Sequence, residues 1–546
     1  MSTLEKEDVG DVFERKDDHY MTMSELPVEA TMDPAEYKKV ERRARLKLDI
    51  LIVPLCLLLY FLSFLDRSNI GQAKLSGKPL GMKNGKMQYA DPGEGIASTL
   101  KLNSHDYAVA LTVLYPTYIA FEIPSNLLIK RVGAGIWIPG LVTMWGIVAT
   151  LQGLVQSKYG LYINRIFLGL TEAGVLPGIA VYLTFFYKPR ELQFRQAIFF
   201  TGASLSGAFS GLLATAIRKM DGMQGQEGWR WVFYLEGIFT VLAGVCCFFL
   251  LPSTIEKCWV LNPTEKRLMT ERLNITRHIF RERPELKDKV ETTYSEYYHS
   301  KEFDYSELWR QEIKRTFLDP AIWLICVSGF CIALVVYSIA YFAPTVVQEI
   351  NTYSPVRSML MSCPPFAVAF VYSVAIAVVS DLFQLRILTA LPGQALSLIG
   401  YVVMYACKDP MTRYGGLIMA TAGAYSVPPA LFSWIANNSS GHYKRATGLA
   451  TLIIFTNSGG LLSSWLFPAE EAKTRYKRGT LVILSLQALG VLVAILIEAY
   501  YLYERRMRAI GKRDHRVLKR RGQHNWTDDE IRAYLGDSHP EYQLEL

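Results

Sequence analysis

Apolar residues in this chain come in long blocks, separated by shorter polar stretches. Runs of about 18 or more apolar residues are long enough to cross a bilayer as a helix. About twelve blocks meet that criterion. They lie near residues 48–66, 106–129, 136–156, 161–187, 197–217, 231–251, 320–343, 359–380, 387–406, 415–436, 446–467 and 480–503. Several carry Pro or Gly, which membrane helices tolerate better than soluble ones. The pattern predicts an all-α membrane protein of twelve transmembrane helices.

The polar stretches complete the organisation. Residues 1–47 read as an N-terminal tail, 48–251 as a first set of six spans, 252–319 as a linker, 320–503 as a second set of six and 504–546 as a C-terminal tail. Within the linker, NPTEKRLMTERLNI has Asn262 as an expected N-cap, Pro263 at the first helical position and Glu265 two residues on. YSELWRQEIKRTF is a second amphipathic piece. The two sets echo each other. SNLLIKR (Ser125 to Arg131) follows block two, and SDLFQLR (Ser380 to Arg386) follows block eight, an offset of 380 − 125 = 255 residues. YKPRELQFR before block five likewise matches GHYKR before block eleven. An internal duplication in a six-plus-six pattern is the mark of secondary transporters, which hold substrate at the repeat interface near midplane. The resulting fold class is two pseudo-symmetric six-helix halves.

Composition changes this picture little. Of 546 residues, 51% are hydrophobic and 20% charged, with a net charge of +8. That balance would suit nucleic acid, but the basic residues cluster beside spans: Arg42, Arg43, Arg45 and Lys47 before the first, Lys188, Arg190 and Arg195 after the fourth, Arg505, Arg506 and Arg508 after the last. They fall on one side when both termini are cytoplasmic, as the positive-inside rule prefers. The first outer loop also holds several lysines and departs from the rule. The acidic start, MSTLEKEDVGDVFERKDDHY, has no basic region followed by an apolar one, so no cleaved signal peptide is expected. The eight cysteines show no spacing for a disulfide frame or a zinc site. Nothing resembles a nucleophile with its base or paired catalytic carboxylates, so neither an enzyme nor a cofactor or metal is expected.

Candidate chemistry sits inside the blocks. NRIFLGLTEAGVLPG places Arg165 and Glu172 in block four. Seven residues are about two helical turns with about 20° of drift, so the two share a face, with Gly169 leaving room beside it. A charge at a membrane centre costs at least about 2.5–3.5 kcal/mol, so each should face a cavity or a partner. The structural alternative is an ion pair that only locks the bundle. Block one ends FLDRSNIGQ. Adjacent Asp66 and Arg67 point about 100° apart, so one can meet block four while the other meets the cavity; an end-of-helix anchor is the alternative. Glu122 is expected to pair with basic loop residues and to gate, together with Asn126, Arg131, Asp381 and Arg386 of the repeated loop. Glu236 reads as packing and Glu498 as an interfacial anchor. All eight histidines fall outside the blocks. Proton coupling must then use a carboxylate, and Glu172 and Asp66 are the candidates. Tyr115, Tyr118, Tyr337, Tyr341 and Asn457 are polar or aromatic candidates for the cavity wall. Gly207 and Gly211 form a GxxxG in block five, and FTNSGGLLSS in block eleven is similarly small; both suit surfaces of close helix contact across which the halves rock.

LDRSNIGQAK, RIFLGLTEAGVLPG, GWRWVFYLEG and NNSSGHYKRA together resemble the fungal allantoate permease-like branch of the major facilitator superfamily, part of the anion:cation symporter family. The resemblance runs from about Leu48 to Glu504, and LGDSHPEYQLEL at the end is similar to tails of that branch. It implies a twelve-helix facilitator fold, alternating access and proton-coupled import of small organic anions such as allantoate, nicotinate, pantothenate, biotin, dipeptides or sulfur-containing acids. It further implies that Arg67 and Arg165 attract the anion and that Glu172 takes part in proton coupling. Asn126 departs from the superfamily's usual aspartate, which Asp381 keeps. Leu111 and Ile332 stand near places where dicarboxylate-carrying animal relatives have a histidine and an arginine, which favours a monoanion. The resulting expectation is a monomeric plasma-membrane symporter whose partners are an organic anion, protons and the lipid bilayer. An exporter of an organic acid or secondary metabolite, and a non-transporting nutrient receptor, are the alternatives.

Overall fold

The computed structural model describes residues 15–16, 19–20, 32–74, 79–83, 86–89, 95–277, 305–351, 355–383, 387–440, 442–468, 471, 474–518, 535–540, 542 and 544. Among the described residues, eleven helices are long and apolar enough to cross a membrane. The strands are two short hairpins, Arg15–Lys16 with His19–Tyr20 and Pro79–Lys83 with Lys86–Tyr89, and neither lies within an apolar block.

Helix α1 covers Pro34–Lys74, then α2 Ser104–Thr112, α3 Leu114–Val132, α4 Ala134–Gln152, α5 Lys158–Glu172, α6 Val175–Leu183, α7 Pro189–Ile217 and α8 Gly228–Leu250. Two linker helices follow, α9 Pro263–Arg277 and α10 Tyr305–Leu318. The rest is α11 Pro320–Asn351, α12 Pro355–Met361, α13 Cys363–Phe383, α14 Ile387–Ala406, α15 Pro410–Ser426, α16 Pro428–Asn438, α17 His442–Ser463 and α18 Lys477–Ala509.

Blocks two, four, eight and ten are each divided in the structure: at Val113, at Ala173–Gly174, at Ser362 and at Val427. Val113, Ala173, Gly174 and Val427 keep right-handed helical backbone angles, so the chain bends there without unwinding. Block ten departs furthest from its expectation. Pro428 and Pro429 remove two backbone donors, so the hydrogen-bond ladder of 410–438 is interrupted between pieces of 17 and 11 residues, while Val427 between them keeps helical backbone angles. Neither piece is among the eleven. Block one departs in the other direction. Its helix is 41 residues long and continues to Lys74, about two turns past Arg67. Asp66 and Arg67 therefore lie within the bundle and are not end-of-helix anchors.

Helix α1 packs on α7, α4 on α8 and α3 on α5, while α11 packs on α17 and α18, and α15 on α13 and α14. The first group meets the second along α7–α13, α1–α11, α7–α16 and α3–α17. Close approach there is a property of glycine. A Cβ at Gly211 would run into the Met359 carbonyl and the Cys363 sulfur, and one at Gly71 into the Tyr341 carbonyl. The GxxxG of block five thus lies on the α7–α13 seam. Gly169, expected to leave room, instead lets α5 close on the Leu114 carbonyl of α3.

At the N-terminal end of α1, charges knit the linker to the bundle. Arg45 and Arg272 both hold Glu191, Arg272 also holds Glu41 at 2.7 Å, and Lys47 holds Glu265 at 2.7 Å. Glu265 also accepts from the Asn262 backbone N–H at 2.9 Å, which caps α9. Burial alone would raise the carboxyl pKa of Glu191 and Glu265. The cations beside them outweigh it and hold both below the ordinary 4.5. A depressed folded-state pKa gives stability that is present above the unfolded value and lost as pH falls through the folded one. The unfolding temperature of the detergent-solubilised chain should therefore drop between about pH 5 and about pH 3, and Glu265→Gln should flatten part of that drop. A flat profile in the unsubstituted chain would mean that the cluster contributes nothing to stability.

The end of the chain folds back onto the same face. Lys444 of α17 reaches Asp319 at 2.7 Å and Asp537 at 2.5 Å. Arg508 donates to the carbonyls of Asp537 and Tyr542 at 2.9 and 2.8 Å, and Tyr542 donates to the Asn437 carbonyl at 2.8 Å. Burial pushes the Asp537 carboxyl above its usual range even with Lys444 beside it.

Candidate functional site

The charged residues of blocks one and four meet where α1, α5 and α11 converge. Arg67 donates to Glu172 Oε1 through Nε at 2.9 Å and through Nη2 at 2.8 Å. The Ser63 hydroxyl donates to the same oxygen. Ser63 lies one turn before Arg67, so α1 presents both to the last turn of α5. The α5 carbonyls end there as well, which favours a cation at that point. Arg67 Nη1 donates to the Tyr337 hydroxyl at 2.5 Å, and that hydroxyl donates to Asn457 Oδ1 at 3.4 Å.

Aromatic rings surround this pair. The Arg67 guanidinium lies 5.3 Å from the ring centroids of Phe64 and Tyr118 and 5.4 Å from that of Tyr337, each a cation–π contact. Phe64 stacks on Tyr337 and Tyr337 on Tyr341, both at 6.1 Å. The hydroxyls of Tyr115 and Tyr341 are 2.6 Å apart across the α3–α11 contact. On the side towards the start of α1, Tyr60 touches Phe200 at 5.3 Å and Phe200 touches Phe432 of α16 at 4.9 Å. The seam is closed on both sides of the cluster.

Arg165 and Glu172 share a face of α5, and Glu172 pairs with Arg67. Arg165 is 2% exposed, and its Nε and Nη2 have no hydrogen-bond partner among the described residues. Its electrostatic neighbours are Tyr341, Asp66, Tyr107 and Glu172. Asp66 is also buried, with Oδ2 unpartnered among the described residues.

No pairing of Glu122 with a basic loop residue is seen among the described residues, and the side chains of Lys130 and Arg131 lie outside them. It is 0% exposed, and both its oxygens lack a hydrogen-bond partner among the described residues. It lies one turn beyond Tyr118 on α3. Asn126 is half-buried with Oδ1 unpartnered. The side chains of Arg131 and Asp381, and the whole of Arg386, lie outside the described residues. Glu236 is buried with both oxygens unpartnered, and its electrostatic neighbour is Asp66.

The structure thus gathers Asp66, Arg67, Tyr115, Tyr118, Arg165, Glu172, Tyr337, Tyr341 and Asn457 around one seam. Ser63, Phe64 and Tyr107 belong with them and were not singled out in the sequence. The four-residue step from Ser63 to Arg67 is the signal for the first. Leu111 and Ile332 are buried among apolar residues, so no further fixed charge enters there.

The chain belongs to the major facilitator superfamily, whose family model matches residues 56–464. It is accordingly a multi-pass membrane transporter and not an enzyme. It is 26% identical to the high-affinity nicotinic acid transporter of Saccharomyces cerevisiae, over 86% of this chain and 80% of that protein. It is 28% identical to an uncharacterized transporter of Schizosaccharomyces pombe, over 92% of this chain and 93% of the relative. Among solved structures it is similar to a bacterial homolog of the human lysosomal transporter Spinster in its inward-facing, unoccupied conformation. That similarity has a TM-score of 0.59 and 16% identity and covers 83% of this chain and 97% of that one. The proton:xylose symporter XylE gives a TM-score of 0.58 at 13% identity, over 82% and 96% of the two chains. Both likenesses concern the fold.

Proposed function

We propose that this chain is a plasma-membrane symporter of the anion:cation type, importing a small organic monoanion with a proton by alternating access. The observation that carries the reading is Arg165, a buried guanidinium with two unpaired donors in a membrane-spanning segment. Buried donors without acceptors are costly, and an incoming carboxylate supplies the missing acceptors.

Charge balance supports the proton. Arg67 and Arg165 are offset by Asp66 and Glu172 when both acids are ionised. A monocarboxylate entering this cluster adds one negative charge in a low-dielectric space, and one proton on Glu172 or Asp66 restores the balance. Protonated Glu172 also no longer holds Arg67 as an ion pair, which frees that guanidinium for the substrate. Proton and anion binding are then coupled in both directions. Tyr115, Tyr118, Tyr337, Tyr341 and Asn457 shape the pocket around the anion. Glu122 and Asn126 act with the repeated loop in gating.

The repeated loops support midplane binding between two rocking halves, 48–251 and 320–503, because internal repeats are the mark of secondary transporters that bind at the repeat interface. The basic flanks support cytoplasmic termini. The nicotinic acid transporter among the relatives makes a vitamin-like carboxylate the first substrate to try.

Uptake of radiolabelled nicotinate, pantothenate, biotin and allantoate into cells expressing the chain tests the reading at external pH of about 5 and about 7.5. Accumulation of one compound, stronger at low pH and abolished by a protonophore, is expected. Surface expression without uptake of any of them, together with efflux of a preloaded acid, would replace import with export.

A further inference from the structure

Four polar side chains run down one face of α3. Tyr115, Tyr118, Glu122 and Asn126 follow one another at steps of three, four and four residues, the spacing that keeps side chains on one side of a helix. The first two belong to the site: Tyr115 meets Tyr341, and Tyr118 lies against Arg67. Asn126 is the last of the four before Lys130 and Arg131, the end that the positive-inside rule puts in the cytosol. Glu122 stands between, with Lys130 and Arg131 more than two turns further on. It is 0% exposed, and neither oxygen has a hydrogen-bond partner among the described residues. Its electrostatic neighbours there are Tyr118 and Tyr337, and each of these is also a neighbour of Glu172. Among the described residues, no charged side chain of α2, α4, α5, α6 or α17, the helices packed on α3, acts on it.

We propose that Glu122 is the proton-release residue of the transport cycle: it holds a proton while the seam is closed and gives it to the cytosol when the inner side opens. The inference rests on the proton-coupled reading above and gives the gating assigned to Glu122 its chemistry. An ionised carboxylate at this place would be buried with neither donor nor cation, and a protein avoids that by keeping the acid neutral. On opening, water reaches the α3 stripe and takes the proton from the Glu122 O–H. The carboxylate left behind receives a proton from Glu172 through the hydroxyl of Tyr118 or Tyr337, which accepts one proton and gives up its own. Glu172, now ionised, pairs again with Arg67 and displaces the anion from it. One proton enters the cytosol with each monoanion, and Glu122 is neutral again before the seam closes.

The first arm of the test needs no substrate. The infrared spectrum of the purified full-length chain in lipid, at a pH of about 7.5, should contain a protonated-carboxyl carbonyl stretch that Glu122→Gln removes; an exposed glutamate is almost wholly ionised there. A spectrum with no band lost overturns the inference. Glu122→Gln breaks no described hydrogen bond at either oxygen, so the variant should reach the surface in normal amount. The second arm follows the compound that the chain takes up, nicotinate first, into cells at a fixed external pH of about 5. Acid-loading the cytosol should slow uptake by the unsubstituted chain. Glu122→Gln should take up the compound at least about a hundredfold more slowly, the low end for loss of a positioned acid or base. Exchange of labelled for unlabelled compound, which needs no net proton release, should persist. Glu122→Asp should recover part of the uptake together with its sensitivity to cytosolic pH. Unaltered uptake in Glu122→Gln, or equal loss of uptake and exchange, overturns the release role; the second is what a residue that only packs would give. If the chain takes up no anion, a band lost with Glu122→Gln keeps the proton on Glu122, and it is the transport reading that fails.

Discussion

Arg165→Gln is expected to reach the membrane in normal amount and to transport at least about a hundredfold less anion, the cost of losing two charge-assisted hydrogen bonds to a carboxylate. The more telling readout is stability. Nε and Nη2 of Arg165 have no hydrogen-bond partner among the described residues, so glutamine removes a charge without breaking a described bond at either nitrogen. The unfolding temperature of the solubilised protein should hold steady or rise, because a buried guanidinium that lacks acceptors at Nε and Nη2 among the described residues is being removed. Sites that bind often carry such a stability cost. If Arg165 instead only locks the bundle, the substitution lowers the unfolding temperature and reduces the amount at the surface. Uptake and thermal unfolding of one variant separate the two roles.

Glu172→Gln should move stability the other way. Glu172 is the ionic partner of buried Arg67, and removing one member of a buried pair typically costs about 3–5 kcal/mol. Glutamine keeps an acceptor for Ser63 or Arg67, so the loss should fall at the low end of that range. Uptake should become indifferent to external pH, because the side chain can no longer exchange a proton, while exchange of labelled for unlabelled anion continues. An unchanged pH dependence would take Glu172 out of the coupling and leave Asp66 as the carrier. The opposite signs of the two stability changes make the pair of variants more informative than either alone.

The apolar blocks were legible because crossing a bilayer demands length and composition, and both are local properties. The helix ends were less so. Nothing in LDRSNIGQAK stops a helix, and α1 runs on through it, while Pro428 and Pro429 divide a block that hydropathy reads as one. The site was legible as an inventory. Arg67, Arg165, Glu172 and the tyrosines are polar groups where polarity is costly, and such groups stand out in a sequence. Their pairing was not legible. The seven-residue spacing put Arg165 and Glu172 on one face, which is true, but a shared face of a helix does not set which residue a neighbouring helix offers. Arg67 takes Glu172 because α1 crosses α5 at its last turn, and that crossing is a tertiary fact.

The folded-back end of the chain has a practical consequence. Asp537 supplies one of the two carboxylates around buried Lys444, and Leu544 packs on the core. A reporter protein fused there is therefore not a silent label. Its linker begins within about ten residues of a buried ion pair that ties the start of α17 to the segment around Asp537, which Arg508 at the end of α18 also holds. An engineered chain cut before Leu535 strands Lys444 with Asp319 alone.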